Sequence, residues 1–449
     1  MRVLLVSGNT YTQPYPVYPL GLDYVAGALA ERHPVCLVDM NVQPDGNSLA
    51  KAIEGVGPDV VGLSIRNIDT TDCTRPNGFF AQHRELVAAI RSRTDAPLVL
   101  GGSGFTIFPE LMMRELDADY GIIGEGERLS LLLDALERRE DAPAGAGIAT
   151  PHGPAAVPPP WAREIVRRFD PSLPHVAFYL NRGGMLNLQT KRGCSFNCIY
   201  CTYPSIEGRA LRLFDPEAVG QMARRLQDAG ARYLFVTDAA FNSSPAHSLA
   251  VARAFKQAGV SVPWGGFFAP TEADPGYFRT LADAGLTHVE FGTESLSDPV
   301  LKVYRKPFRS ADVFDAHAAA LEAGVHVAHY FLLGGPGEND ETVAETLDRV
   351  ERLQRSVLFF FCGMRIYPRT ELYEMACRAG QVQGHRSLLD PVFFKPDGIG
   401  GGQILNRVRE RAGGRPNWVV GDGGDKTAAI ISRLYARGHS GPLWEYLVR

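Results

Sequence analysis

The chain has 449 residues, more than one hydrophobic core usually serves, so at least two domains are expected. Hydrophobic residues make up 45% and charged residues 21%, with a formal charge of -4. That balance excludes a disordered chain and gives no general attraction to nucleic-acid phosphates. No apolar run nears the roughly 20 residues of a membrane span, and the seven cysteines, an odd number, fit no disulfide framework. "MRVLLVSGNT" is too short in its apolar part for a signal peptide. A cytoplasmic protein with no nucleic-acid or membrane partner is the expectation.

Apolar runs at 2–6, 34–40, 59–65, 97–102 and 119–127 alternate with helical patterns near 20–32, 48–55, 82–93, 108–116 and 129–138. Strands that are apolar throughout and separated by helices predict a parallel sheet covered on both faces. Residues 1–140 thus form an α/β, doubly wound, Rossmann-like domain. The Pro-, Ala- and Gly-rich stretch that follows predicts an extended linker over 141–183.

From 184 the alternation resumes, with strands at "MLNLQTK", "YLFVTD", "VPWGGFF", "HVEFGTE", "VAHYFLLGG" and "LFFFCGMRI". Six βα units predict a partial (β/α)6 barrel over 184–380, with its active site at the C-terminal strand ends. The last stretch, 381–449, carries "KPDGIGGGQ" and "GDGGDK". Neither follows a phosphate-loop pattern, so this segment is expected as loops covering the barrel mouth.

The densest chemical signal is "TKRGCSFNCIYCTYP" (190–204), with Cys194, Cys198 and Cys201 in eight positions. Three thiolates on one loop hold three irons of a 4Fe-4S cluster and leave the fourth iron open to a ligand. A structural zinc and plain buried cysteines are the alternatives. Zinc wants a fourth ligand nearby, and no His or Cys lies within twenty residues after Cys201. "RGCSFN" is too polar and turn-like for a core. Cys36, Cys73, Cys362 and Cys377 are scattered and expected to pack in cores.

The C-x3-C-x2-C loop, with Tyr200 before its last cysteine, resembles the radical S-adenosylmethionine enzymes of the branch with an N-terminal cobalamin-binding-type domain. The resemblance spans roughly 1–400. It implies that the open iron chelates S-adenosylmethionine and that an electron, from a donor such as flavodoxin or ferredoxin, cleaves the sulfonium to a 5'-deoxyadenosyl radical. It also implies further site residues. Asp238 and Asn242, in "YLFVTDAAFN", stand where the family places a Gly-Gly-Glu-like turn on the methionine amine. Glu294 and Ser295, in "FGTESLSD", match a position that holds the ribose or methionine. Gly334 and Gly335, in "HYFLLGGPGEND", stand at a strand end where close approach by adenine or backbone needs them, and Arg365 and Tyr367, in "RIYPRTELYEMA", end another strand. Lys306, Arg305 and His329 are weaker candidates. An ordinary solvated Lys-Arg pair and a satisfied core histidine are their alternatives.

In the family, cobalamin lies between the first domain's crevice and the barrel mouth. The matching loops here are 7–21, 64–72, 101–106 and 124–127, with Arg66, Asn67 and Asp69 as lining. No D-x-H-x-x-G sequence supplies a cobalt ligand, and a domain that keeps the fold without the cofactor is the alternative. The leading expectation is radical C-methylation of a small specialised metabolite or lipid-type precursor. The runner-up is a cobalamin-free radical dehydration of a sugar diol or another rearrangement, with Asp238, Glu294, His329 or Tyr330 as acid–base groups. An RNA methylthiotransferase is disfavoured because only Cys36 and Cys73 precede 141. A non-catalytic electron carrier or cobalamin sensor leaves Glu294 and the strand-end glycines without a task.

Overall fold

The computed structural model describes residues 1–42, 47–74, 76–143, 145–151, 153, 156–383, 387–421 and 423–448. Strands β1 (Val3–Ser7), β2 (Val35–Asp39), β3 (Val60–Ser64), β4 (Leu98–Gly101), β5 (Tyr120–Ile122) and β6 (Ile148–Ala149) form a sheet in the order β2-β1-β3-β4-β5-β6. All pairs are parallel except β5–β6. Every residue of β1 is buried because helices cover both faces. Leu4 and Val6 enter one core, and Val3 and Leu5 the other, as the two-residue period of a strand requires. The strand order reverses between β1 and β3, which opens a crevice at their C-terminal ends.

The second sheet uses β7 (Met185–Leu188), β10 (Tyr233–Val236), β11 (Trp264–Phe268), β12 (Leu286–Glu294), β13 (His326–Leu333), β14 (Ser356–Cys362) and β15 (Trp418–Val420), in that spatial order. All are parallel, giving an open barrel. Between β7 and β10, β8 (Lys191–Arg192) and β9 (Arg212–Leu213) form an antiparallel ribbon that brackets the three cysteines. The outer helices begin where sequence chemistry allows. Asp215, Asp274 and Asn339 accept backbone N–H bonds at the starts of Pro216–Asp228, Pro275–Ala282 and Asp340–Val350, and proline fills the first turn of the first two.

Two expectations are corrected. Residues 141–183 are not simply an extended linker: Ile148–Ala149 is the edge strand β6, and the helix Pro174–Asn181 packs Val176 and Tyr179 into the barrel's outer core. A two-residue strand and a helix of eight residues are too short for periodicity to register against the proline-rich background. The C-terminal segment only in part lies at the barrel mouth: Leu388 O accepts from Arg365 and Val392 O from Ile366 N–H there, in the core shared with the first domain, while the rest goes elsewhere. It supplies β15, places the helix Gly401–Ala412 against β14, and closes the opposite end with the turn Trp444–Leu447. Gly441 N–H donates to Gly183 O at 3.1 Å, Glu445 lies 3.1 Å from His288, and Trp444 donates to Glu290 at 3.0 Å. Gly183 precedes β7 and His288 lies near the start of β12, so this is the N-terminal end of the barrel. Of "GDGGDK", Asp422 lies outside the described residues.

The two halves share one core, in which Ile65 and Phe105 join Ile199, Tyr304, Met364 and Ile366. Buried ion pairs cross the same boundary at Arg365–Asp69 (2.8 Å), Arg192–Glu125 and Arg192–Glu127 (2.7 Å each).

Candidate active site

The cysteine loop is held at its base before any ligand is considered. Lys191 is buried and donates to Asp238 (2.7 Å) and to Phe241 O (2.8 Å). Asp238 also accepts from Thr190 N–H and Oγ1. Both carboxylate oxygens of Asp238 are thus filled, and the residue expected on the methionine amine instead anchors β8 to the end of β10. Arg192 fastens the next position to the first domain. Ile199 N–H donates to Tyr304 O (3.3 Å) and Leu372 N–H to Ile199 O (2.9 Å), which fixes the far side of the loop. Gly193, between Arg192 and Cys194, has φ +88°, and a Cβ there would lie 2.1 Å from Ala210 O.

Burial pushes all three thiols up, Cys201 to about 12. Lys306 opposes this at each of them. Buried thiolates of this kind are stabilised by a metal, which deprotonates its own ligands. Among the described residues the three sulfurs are not gathered within 4.8 Å of one another, whereas tetrahedral zinc at Zn–S of about 2.3 Å needs them roughly 3.8 Å apart. Three thiols on one loop, with no fourth protein ligand beside them in sequence, suit a cluster that takes one thiolate per iron.

Beside the trio stands a second cluster. Glu294 Oε1 accepts from Tyr200 OH (2.7 Å) and Lys306 Nζ (3.2 Å), and Lys306 also reaches Tyr200 OH (3.3 Å). Glu294 holds φ +64°, a backbone state that a non-glycine residue seldom adopts and that often marks a working position. Both bonds fall on Oε1, so Oε2 has no protein partner among the described residues. Lys306, a candidate whose alternative is a solvated Lys-Arg pair, has a side chain only 8% exposed.

Strand parity sorts the remaining candidates. Along β13, Ala328 and Tyr330 face the barrel interior, while Val327, His329 and Phe331 face the helices. His329 is fully buried outside the barrel, bonded to Thr293 (2.7 Å) and His317 (3.0 Å), and desolvation holds its pKa well below the usual value. It is a satisfied core histidine. Tyr330 lies inside, stacked on Phe359 at 4.7 Å and donating to Glu290 at 2.9 Å.

Asn242 exchanges hydrogen bonds with the backbone of Ala269 (2.7 and 2.9 Å), and Ser295 Oγ is paired with Thr346 (3.0 Å); both are buried in structural roles. Arg365 and Asp69 pair with each other, and Arg365 also donates to Ile366 O and Leu388 O. Tyr367 packs edge-on against Phe108 under the Arg365 guanidinium. Asn67 donates to Asn9 (3.1 Å). Gly334 and Gly335 donate their N–H groups to Glu338, and a Cβ on Gly335 would lie 2.3 Å from Tyr304 Oη, so the crowding there comes from protein.

Arg66 keeps its expected place. A cavity of about 570 Å³ lies between the C-terminal strand ends of the first sheet and the barrel mouth. Ser7, Asn9, Arg66, Gly102 and Ser103 line one wall; Asn187, Arg192, Tyr203, Glu207, Phe235 and Phe267 line the other. Arg66 lines this chamber as an exposed side chain, with no hydrogen bond or ion pair from its guanidinium among the described residues. The 124–127 loop lines the chamber too, but Glu125 and Glu127 are committed to Arg192. Tyr15, from the first domain, reaches inward to pack with Met185, Tyr233 and Phe235. The sequence places the loop 7–21 at this crevice, but nothing in "QPYPVYP" distinguishes one tyrosine from another. An unpaired guanidinium, glycines at the rim and an aromatic far wall suit a large polar-edged ring system with a smaller molecule beyond it.

Two family models match the chain: the radical SAM superfamily over residues 188–350 and the B12 binding domain over 7–133. An uncharacterized methyltransferase of Pyrococcus horikoshii is 26% identical, covering 84% of this chain and 83% of its own. The tryptophan 2-C-methyltransferase of Streptomyces laurentii is 25% identical over 79% of this chain and 71% of its own. Among solved structures, the radical S-adenosylmethionine methyltransferase TsrM of Kitasatospora setae, with tryptophan and a SAM analog bound, superposes with a TM-score of 0.86 at 23% identity. It covers 99% of this chain and 97% of its own.

Proposed function

We propose, from the premise that this chain is a radical S-adenosylmethionine enzyme with a B12-binding domain, that it methylates a carbon of a small metabolite held between its two halves. The observation that carries this reading is the single chamber bounded by the strand ends of both sheets, with Arg192 and Tyr203 of the cysteine segment in its wall. When bound, the iron–sulfur cluster and S-adenosylmethionine supply one-electron chemistry and cobalamin supplies methyl transfer.

The protein's own groups divide the remaining work. Cys194, Cys198 and Cys201 hold the cluster. Glu294 offers Oε2 to a hydroxyl or ammonium of S-adenosylmethionine, in a geometry fixed by Tyr200 and Lys306. Arg66 and the rim of β1, β3 and β4 face the corrin. Tyr15, Phe235 and Phe267 give an apolar wall that excludes water from the reacting centre. Tyr330 and Glu290 lie below, hydrogen-bonded to each other. Ser195 and Asn197 at the tip of the cysteine loop, with Arg209 beside them, are exposed, which favours electron delivery there by a small carrier such as flavodoxin or ferredoxin.

The names of the relatives support methylation, and a cobalamin-free dehydration is not favoured, since it leaves the chamber and the B12 domain without use. Anaerobic reconstitution with iron, sulfide and hydroxocobalamin, followed by desalting, tests the reading. Stoichiometric retained corrin that takes up label from methyl-labelled S-adenosylmethionine is expected. An iron–sulfur spectrum with no corrin overturns it.

A further inference from the structure

We propose that Lys306 and Glu294 act as an opposed pair of charges that sets the reduction potential of the cluster held by Cys194, Cys198 and Cys201; this rests on the cluster assignment and not on cobalamin or methylation. Three observations carry it. Lys306 Nζ is fixed by two bonds, to Glu294 Oε1 at 3.2 Å and Tyr200 OH at 3.3 Å. Tyr200 lies within the cysteine loop itself, between Cys198 and Cys201, so that ammonium is tied directly to the ligand segment. Third, both side chains are largely buried, at 8% and 13% exposure, so water screens them weakly. Lys306 also flanks the Tyr200 and Phe308 rings, at 5.9 and 5.3 Å, which confines its position further.

A cluster held by three thiolates gains one negative charge when an external donor, here dithionite or a photoreduced deazaflavin, gives it an electron. A fixed cation nearby favours the reduced form, and a fixed carboxylate opposes it. The two residues therefore act in opposite directions, which a purely structural pair does not do.

The test is an electron-paramagnetic-resonance redox titration of the reconstituted cluster without S-adenosylmethionine or corrin, with iron and sulfide content measured on each sample. Lys306→Met is expected to lower the reduced-to-oxidised ratio at a fixed applied potential by tenfold or more, about 59 mV for one electron. Glu294→Gln is expected to raise that ratio, and the double variant to fall between the two. Unchanged midpoints, or shifts of the same sign in both single variants, overturn the proposal. Should Lys306→Met fail to take up iron, Glu294→Gln decides alone: an upward shift supports the pair, and none refutes it. If no variant and not even the parent chain binds a cluster, the cluster assignment itself is what has failed.

Discussion

Arg365 and Asp69, 296 positions apart, form an ion pair at 2.8 Å whose side chains are 3% and 0% exposed. It joins the end of the barrel to the loop after β3, and it is one of the buried contacts that hold the two halves at a fixed separation around the chamber.

Removing one partner leaves the other charge buried. Asp69→Ala is expected to destabilise the protein by about 3–5 kcal/mol, seen as a lower midpoint in urea. Asp69→Asn, which keeps an acceptor for Arg365 and for Thr71 N–H, should lose less. Equal stability of Asp69→Ala and the parent would show that the pair contributes nothing.

Gly193→Ala should strip the cluster without unfolding the barrel. The added methyl meets the backbone oxygen of Ala210 at 2.1 Å, in a backbone state that L residues rarely hold. Retained far-ultraviolet circular dichroism with most of the iron lost is the expected result; full iron content would show that the loop adapts.

Cys198→Ala separates the two cofactor sites. Cys198 is absent from the chamber wall, so the variant should lose the iron–sulfur absorption and reductive cleavage of S-adenosylmethionine while still retaining corrin after desalting. Joint loss of both would mean that the cysteine loop also shapes the chamber.

Glu338 gives a pH signature. Burial raises its pKa from 4.5 to about 7, although Oε2 accepts from Gly334 and Gly335 N–H. The unfolded chain releases this proton near pH 4.5, so between about 4.5 and 7 the native state binds more protons. Stability falls as pH rises through that window, by roughly 3 kcal/mol, and stays lowered above it. Glu338→Gln should flatten this part of the stability profile; an unchanged slope in urea titrations from pH 4.5 to 7.5 would rule the residue out.

The sequence was most legible where chemistry lies in neighbouring residues. Three cysteines on one loop announce a metal centre, and apolar strands alternating with helices announce both sheets. It was least legible where meaning depends on parity or on distant partners. In "VAHYFLL" both faces are buried, so no polar alternation tells that Tyr330 points inward and His329 outward. Asp238, Asp69 and Arg365 looked like ligand contacts because they are polar groups at strand ends; their partners, Lys191 and each other, emerge only when the chain is folded. The strand β15 was hidden because three residues among glycines and a proline carry too little pattern.

Trp444 and its neighbours stop the barrel from below. With Trp444 and Leu447 packed there against Ala328, Val357 and Val419, the chamber lies at the other end of the barrel, against the first domain.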